Sequence, residues 1–435
     1  MNIKKVVVIG SGTMGSGIAA QVANAGIPVV LLDIIPKDAE NRNIIAESAL
    51  KEMLKPVPPG RPSPLMHRAN GKLITPGNLE DDLELLKDAD WLVVAVIENL
   101  EIKQKVYKKI EECRKKGAIV SSNTSTIPRA NLVKGMPKKF SKNFMITHFF
   151  NPPRYMRLLE IVPDEEVDKK TVESITKFSD IKLGKEVILC KDTPGFIGNR
   201  IGIFWVQCAI HEAIKAGFTV EEADAVMGRP IGVPKTGVFG LMDVVGIDLI
   251  PHISISMLAN LPKEDEYCKI HNEAKTMKSM LEKMIKEGYT GRKGKGGFYR
   301  LNKEDGKKIK EARNIETGEY APANRKVRME SIRAAKKGLG KLVNHEDKGG
   351  QYAWKVLSRT LSYAASLVPE ISDSIVDIDN AMKSGYMWKR GPFEMIDQLG
   401  TSEFVERLTN ENYIVPEILN EIKGRKFYDC VEGIR

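Results

Sequence analysis

The sequence predicts an α/β N-terminal half built as a doubly wound sheet, followed by an all-α half. Three observations carry that expectation. Lys5-Val-Val-Val-Ile9 runs straight into Gly10-Ser11-Gly12-Thr13-Met14-Gly15, so a strand ends on a glycine-rich turn. Strand-like and helix-like stretches then alternate to about residue 190. From Pro194 onward the periodicity becomes helical, and one helical pattern recurs further along the chain.

The β-branched run at residues 5–9 is typical of a parallel strand buried on both faces. An amphipathic helical stretch follows (Ile18, Val22, Ala25), then a second strand, Val29-Val-Leu-Leu32, ending at Asp33, eighteen residues past Gly15. Each part has a physical task. The glycines permit a tight turn and close approach of backbone to a pyrophosphate, and the helix N-terminus offers unpaired N–H groups to that anion. Gly10, Gly12, Thr13, Met14 and Gly15 are therefore candidate cofactor-binding residues in a Rossmann-like domain. A carboxylate at Asp33 accepts hydrogen bonds from ribose hydroxyls and repels a 2′-phosphate, which favours NAD over NADP; Lys37 is the one nearby cation that argues otherwise. Further strands are expected over residues 91–97, 118–121 and 144–149, with a helix over 101–115. Ligands of such a sheet collect at the carboxyl ends of the strands, where Glu98, Ser125 and His148 fall.

His148 ends an apolar run, and Glu160 follows twelve residues later on the next strand-like stretch. A turn can bring the two together. The carboxylate then takes one ring N–H, fixes the tautomer and leaves the other nitrogen to act as general acid or base. The remaining histidines, His67, His211, His252, His271 and His345, read as ordinary core or surface residues.

Size and composition narrow the class. A chain of 435 residues, 42% hydrophobic, accommodates two or three domains with cores of their own. No run approaches the roughly eighteen apolar residues of a membrane span, and a strand stands at the very start, so the expected compartment is the cytoplasm. The five cysteines are scattered without a C-x-x-C pair, which suggests neither a disulfide framework nor a metal site. The net charge of +10 would suit a phosphate-bearing substrate as well as nucleic acid. Lysine and glutamate are interspersed, however, and no aromatic-interleaved basic motif accompanies them, so no nucleic-acid role is expected.

Taken together, Gly10 to Gly15, Ser122-Asn-Thr-Ser125, His148-Phe-Phe-Asn151-Pro, Glu160 and Asp192-Thr-Pro194-Gly-Phe-Ile-Gly-Asn199-Arg200 resemble the 3-hydroxyacyl-CoA dehydrogenases. The resemblance covers roughly residues 1–300. It implies an NAD-dependent oxidation of (S)-3-hydroxyacyl-CoA to the 3-oxoacyl-CoA, with an acyl-CoA substrate from fatty-acid metabolism. It makes His148 the base for the 3-hydroxyl and Glu160 its partner, with Ser125 and Asn199 binding the substrate's oxygens. Glu98, Lys103, Ser125 and Lys293 would border the cofactor. Ser48 and Lys55 fit CoA-facing positions, with Arg61 nearby in a proline-rich stretch. One departure stands at Val94, where many relatives carry glutamate. A relative acting on a free β-hydroxy acid would use a lysine base in the helical half, and an NAD-binding protein without turnover would be expected to lose one of the four catalytic residues.

In the helical half, Asp224-Ala-Val-Met227 and Gly237-Val-Phe239 to Asp243 and Gly246 recur as Asp379-Asn-Ala-Met382 and Gly391-Pro-Phe393 to Asp397 and Gly400. The expected organisation is an NAD-binding domain over 1–190, a helical domain over 191–300, a basic connection over 301–348, and a second copy of the helical domain over 349–435. The second copy has no counterpart of Asn199-Arg200 and is expected to be structural. Where single-copy relatives pair through this domain, the second copy would take the partner's place and leave a monomer. Some relatives with this arrangement continue into an enoyl-CoA hydratase module; nothing in this sequence resembles it, so either the protein lacks that module or the chain is part of a longer dehydrogenase/hydratase protein. Acyl-chain length is not legible.

Overall fold

The computed structural model describes residues 2–57, 63–304 and 307–429, so Arg61 lies outside the described residues. The chain divides into two compact units, Met1–Phe196 and Ile197–Arg435. No single helix among the described residues is long and apolar enough to cross a membrane.

The first unit is an eight-stranded sheet of β1 (Val6–Ile9), β2 (Val29–Asp33), β3 (Ile74–Asn78), β4 (Trp91–Val94), β5 (Ile119–Ser122), β6 (Phe144–Phe149), β7 (Leu158–Val162) and β8 (Glu186–Leu189). Their spatial order is β3-β2-β1-β4-β5-β6-β7-β8. The first six strands are parallel; β7 turns back antiparallel to β6, and β8 is parallel to β7. The principal helices are α1 (Thr13–Asn24), α2 (Ile44–Leu54), α3 (Leu100–Cys113), α4 (Arg129–Val133), α5 (Lys138–Ser141) and α6 (Lys169–Ile181).

Order reverses between β1 and β4, the topological switch where such folds bind ligands. Both strands are fully buried, which explains their uninterrupted apolar sequences. Val94, at the position where the family resemblance expects glutamate, is one of these buried residues. Two polar side chains inside the sheet share one acceptor: Trp91 Nε1 donates to Ser121 Oγ at 2.9 Å, and Thr147 Oγ1 donates to the same oxygen at 2.8 Å.

The first unit extends past the expected boundary at 190. Cys190 N donates to Ile161 O, and the Asp192 carboxylate accepts from the backbone N–H groups of Arg129 and Ala130. These bonds tie residues 190–192 to the sheet and to the start of α4.

The second unit contains α7 (Gly198–Lys215), α8 (Val220–Val226), α9 (Phe239–Val245), α10 (Leu249–Asn260), α11 (Glu266–Glu273), α12 (Lys275–Lys286), α13 (Glu330–Ala334), α14 (Leu339–Val343), α15 (Lys348–Ser366), α16 (Ile375–Gly385), α17 (Pro392–Leu399), α18 (Thr401–Asn410) and α19 (Glu417–Glu421). It is not all-α. Within the stretch expected to be a basic connection, β9 (Tyr299–Glu304), β10 (Lys307–Arg313) and β11 (Tyr320–Pro322) form an antiparallel sheet. Its charges are absorbed locally: Glu311 accepts from Arg300 Nε at 2.6 Å and Asn302 Nδ2 at 3.2 Å, and buried Arg313 lies against the rings of Tyr289 and Tyr320.

The recurring sequence pattern has a matching hydrogen-bond pattern. Asp224 accepts from Phe239 N, Gly240 N and Tyr299 Oη at 2.7, 3.1 and 2.9 Å. Asp379 accepts from Phe393 N, Glu394 N and Tyr428 Oη at 2.9, 3.0 and 2.8 Å. Asp243 likewise accepts from Phe298 N and Tyr299 N, as Asp397 does from Phe427 N and Tyr428 N. Each aspartate therefore holds the start of one helix or the closing Phe-Tyr segment of its own repeat.

Candidate active site

The glycine turn between β1 and α1 shows why each glycine is needed. Gly10 has φ +98°, and a Cβ there would stand 2.6 Å from Ala95 O on the segment after β4. A Cβ on Gly15 would collide with the Gly10 carbonyl, so helix and strand approach this closely only through glycine. Gly12 differs from both. Nothing lies within 4 Å of a Cβ built on it, so its hydrogens keep a surface open at the N-terminus of the twelve-residue α1, where a pyrophosphate would sit. Thr13 is exposed beside it and Met14 half-buried.

Asp33 already takes part in the turn. Its Oδ2 accepts from Ser11 N and Ser11 Oγ, both at 2.6 Å, and its Oδ1 accepts from Ile34 N at 2.7 Å. The carboxylate thus shapes the phosphate loop as well as ending β2. A carboxylate offers about four lone-pair positions, so capacity remains for a ribose hydroxyl.

His148 and Glu160 are direct cross-strand partners on β6 and β7. Their Nδ1 and Oε2 stand 2.7 Å apart, with Glu160 fully buried and the histidine side chain 8% exposed. The rings of Phe150 and Phe196 lie 4.6 and 5.6 Å from the imidazole. With Nδ1–H donating to the carboxylate, Nε2 is the nitrogen that can exchange a proton with a bound molecule. The end of β6 is held by Asn123, whose Oδ1 accepts from Phe149 N at 2.8 Å.

Two further residues organise this edge. Thr124 Oγ1 donates to Glu98 Oε2 at 3.0 Å and accepts from Thr126 N and Ile127 N, which fixes the turn carrying Ser125. Lys185 is buried and donates to Pro153 O and to Met156 O, pinning the segment that follows the histidine motif. Burial lowers its pKa to about 8. A threonine in a turn and a lysine before a strand carry no sequence signal for these tasks. Lys103 is buried too, with Nζ 3.3 Å from Glu98 and 3.2 Å from Val96 O; burial lowers its pKa while Glu98 opposes that shift.

This arrangement has close counterparts among known proteins. Residues 5–193 match the family model for the 3-hydroxyacyl-CoA dehydrogenase NAD-binding domain, and residues 195–301 match the model for its C-terminal domain. A probable 3-hydroxyacyl-CoA dehydrogenase of Deinococcus radiodurans is 38% identical over 75% of this chain and 90% of its own. The chain belongs to the 3-hydroxyacyl-CoA dehydrogenase family. A putative fatty acid oxidation complex trifunctional enzyme of Rickettsia prowazekii is 41% identical over 91% of this chain and 53% of its own length. The chain therefore spans about half the length of the longer curated relatives it matches. A crystal structure of 3-hydroxybutyryl-CoA dehydrogenase from Escherichia coli shares the fold, with a TM-score of 0.69 and 21% identity over 97% of this chain and 98% of that one.

As in the family's NAD-binding domain, the cofactor is NAD, and the open Gly12 surface and the Asp33 carboxylate fit it. The other residues expected of a 3-hydroxyacyl-CoA dehydrogenase are distributed as follows. All in the first unit, Glu98 and Ser125 lie beyond the ends of β4 and β5, Lys103 on α3, His148 near the end of β6 and Glu160 in the middle of β7. Ser48 on α2 and Lys55 just after it are exposed, and Lys55 pairs with Glu52. Asn199 and Lys293 belong to the second unit. Asn199 sits in the first turn of α7, and Lys293 lies 2.8 Å from Asp248. Among the described residues, no group of three or more histidine, cysteine or acidic side chains is placed to hold a metal ion.

Proposed function

We propose that this chain interconverts (S)-3-hydroxyacyl-CoA and 3-oxoacyl-CoA with NAD, in the oxidation of fatty acids. The His148–Glu160 pair carries the reading: a buried carboxylate 2.7 Å from one imidazole nitrogen orients the ring and stabilises its protonated form. NAD, cradled by Gly10 to Gly15 and Asp33, supplies the hydride acceptor. His148 takes the proton of the 3-hydroxyl through Nε2 and returns it in the reverse direction. Ser125 and Asn199 hydrogen-bond the substrate's oxygens and hold C3 in place. Glu98 and Lys103 border the nicotinamide half of the cofactor, Lys293 is a further cofactor-contacting lysine, and Ser48 and Lys55 face CoA.

The matching aspartate networks of Asp224 and Asp379 support a duplicated helical domain, with the second copy occupying the place that a partner subunit takes in single-copy relatives. On that reading the chain is a monomer, and its setting is the cytoplasm. In a protein as long as the trifunctional relative, a hydratase that supplies the 3-hydroxyacyl-CoA would share the polypeptide. The substrate class is tested by following NADH with acetoacetyl-CoA and longer 3-oxoacyl-CoAs, and NAD reduction with free 3-hydroxyisobutyrate. Turnover of thioesters and none of the free acid is expected; the reverse pattern would refute the assignment.

A further inference from the structure

We propose that Tyr386, from the second helical repeat, is a positioning residue for Asn199 in the first. The inference rests on the reading of Asn199 as a substrate-binding group. Tyr386 follows α16 directly, and its hydroxyl lies 3.5 Å from Asn199 Oδ1. Its ring covers Gly202, three residues beyond Asn199 and on the same face of α7; a Cβ on Gly202 would fall onto the ring's Cζ and Cε atoms. Glycine at 202 is what admits a tyrosine here.

The turn carrying Tyr386 is held on both sides. Tyr386 N and Trp388 N both donate to Met382 O, while Met387 between them adopts φ +56°. Trp388 packs edge-on against Trp205 of α7 with centroids 5.4 Å apart, and Lys389 N donates to Gly232 O at 2.7 Å. The phenol is thus delivered to the first turn of α7 by a fixed loop.

An asparagine amide presents either an acceptor oxygen or a donor NH2, depending on a half-turn about its last bond. A substrate carbonyl or alkoxide needs the donor. By donating to Oδ1, the tyrosine hydroxyl selects the rotamer in which the NH2 is turned away from the ring and offered to the substrate. The second repeat, expected to be structural, therefore sets the hydrogen-bonding polarity of a residue in the first.

The test is a double-mutant cycle with Tyr386→Phe, which keeps the ring on Gly202, and Asn199→Ala. Tyr386→Phe should lower kcat/KM for acetoacetyl-CoA about fivefold, the scale of one hydrogen bond, and weaken acetoacetyl-CoA binding similarly. NADH affinity and Tm should stay at their wild-type values. In the Asn199→Ala background the same change should have no further effect. Wild-type kinetics for Tyr386→Phe alongside an impaired Asn199→Ala would overturn this inference and leave the proposed function standing, as would equal losses in both backgrounds. Wild-type kinetics for Asn199→Ala would overturn the role of Asn199 and this inference together.

Discussion

The Nδ1 of His148 and the Oε2 of Glu160 face each other at 2.7 Å from directly paired positions on antiparallel β6 and β7. Register alone brings them together, because two residues opposite one another in an antiparallel pair point to the same face. Glu160→Gln keeps the shape and one acceptor but removes the charge that stabilises an imidazolium. We expect kcat with acetoacetyl-CoA to fall by about a hundredfold. Steady-state assays check this, and a wild-type kcat would contradict it.

The glycine turn yields a contrast between two substitutions. Gly12→Ala meets nothing within 4 Å, whereas Gly15→Ala meets the Gly10 carbonyl. Gly12→Ala should therefore weaken NAD binding at least about tenfold, by blocking close approach of the pyrophosphate, while lowering stability by about 1 kcal/mol or less. Gly15→Ala should unfold the first unit several degrees earlier. Thermal melts and NAD titrations separate the two, and equal Tm losses would contradict the account.

Burial pushes Asp224 up to about 7 and Asp379 up to about 6, against amide and tyrosine donors that pull the other way. An unfolded aspartate titrates near 3.9. Between these values the folded chain holds more protons, so this part of its stability is complete at about pH 4, falls as pH rises and levels off above about pH 7. Asp379→Asn cannot titrate. It should be less stable at every pH, by about 1–3 kcal/mol for a mismatched buried donor, but with a shallower decline from pH 4.5 to 7.5. Denaturation midpoints across that range check the slope, and parallel curves for the two proteins would contradict it.

If the second repeat takes a partner's place, sedimentation of the 435-residue chain should show one monomeric species over a hundredfold concentration range. A tight dimer would contradict that reading.

The sequence made some of this legible and hid the rest for physical reasons. Gly10, Gly15 and Asp33 were visible because backbone sterics and charge leave few alternatives at those positions. The His148–Glu160 pairing was visible because two short strands joined by a turn restrict where a carboxylate can return. The sheet of β9 to β11 was not. Its stabilising contacts are Glu311 with Arg300 and Asn302, and Arg313 between aromatic rings, so its buried positions read as surface in a hydrophobic pattern. The closing pairs Phe298-Tyr299 and Phe427-Tyr428 repeat in sequence, but two residues carry little weight until the aspartates they bond are known. Thr124 and Tyr386 act through a hydroxyl delivered by a turn, which no periodicity records.

The central claim is that His148 moves the proton. His148→Gln removes the nitrogen proposed to exchange the proton and leaves Gly10 to Gly15 and Asp33, the proposed cofactor-binding residues, unchanged, so it separates chemistry from binding. Single-turnover oxidation of NADH with acetoacetyl-CoA should slow by at least about two orders of magnitude, with NADH affinity unchanged. An undiminished rate would contradict the account.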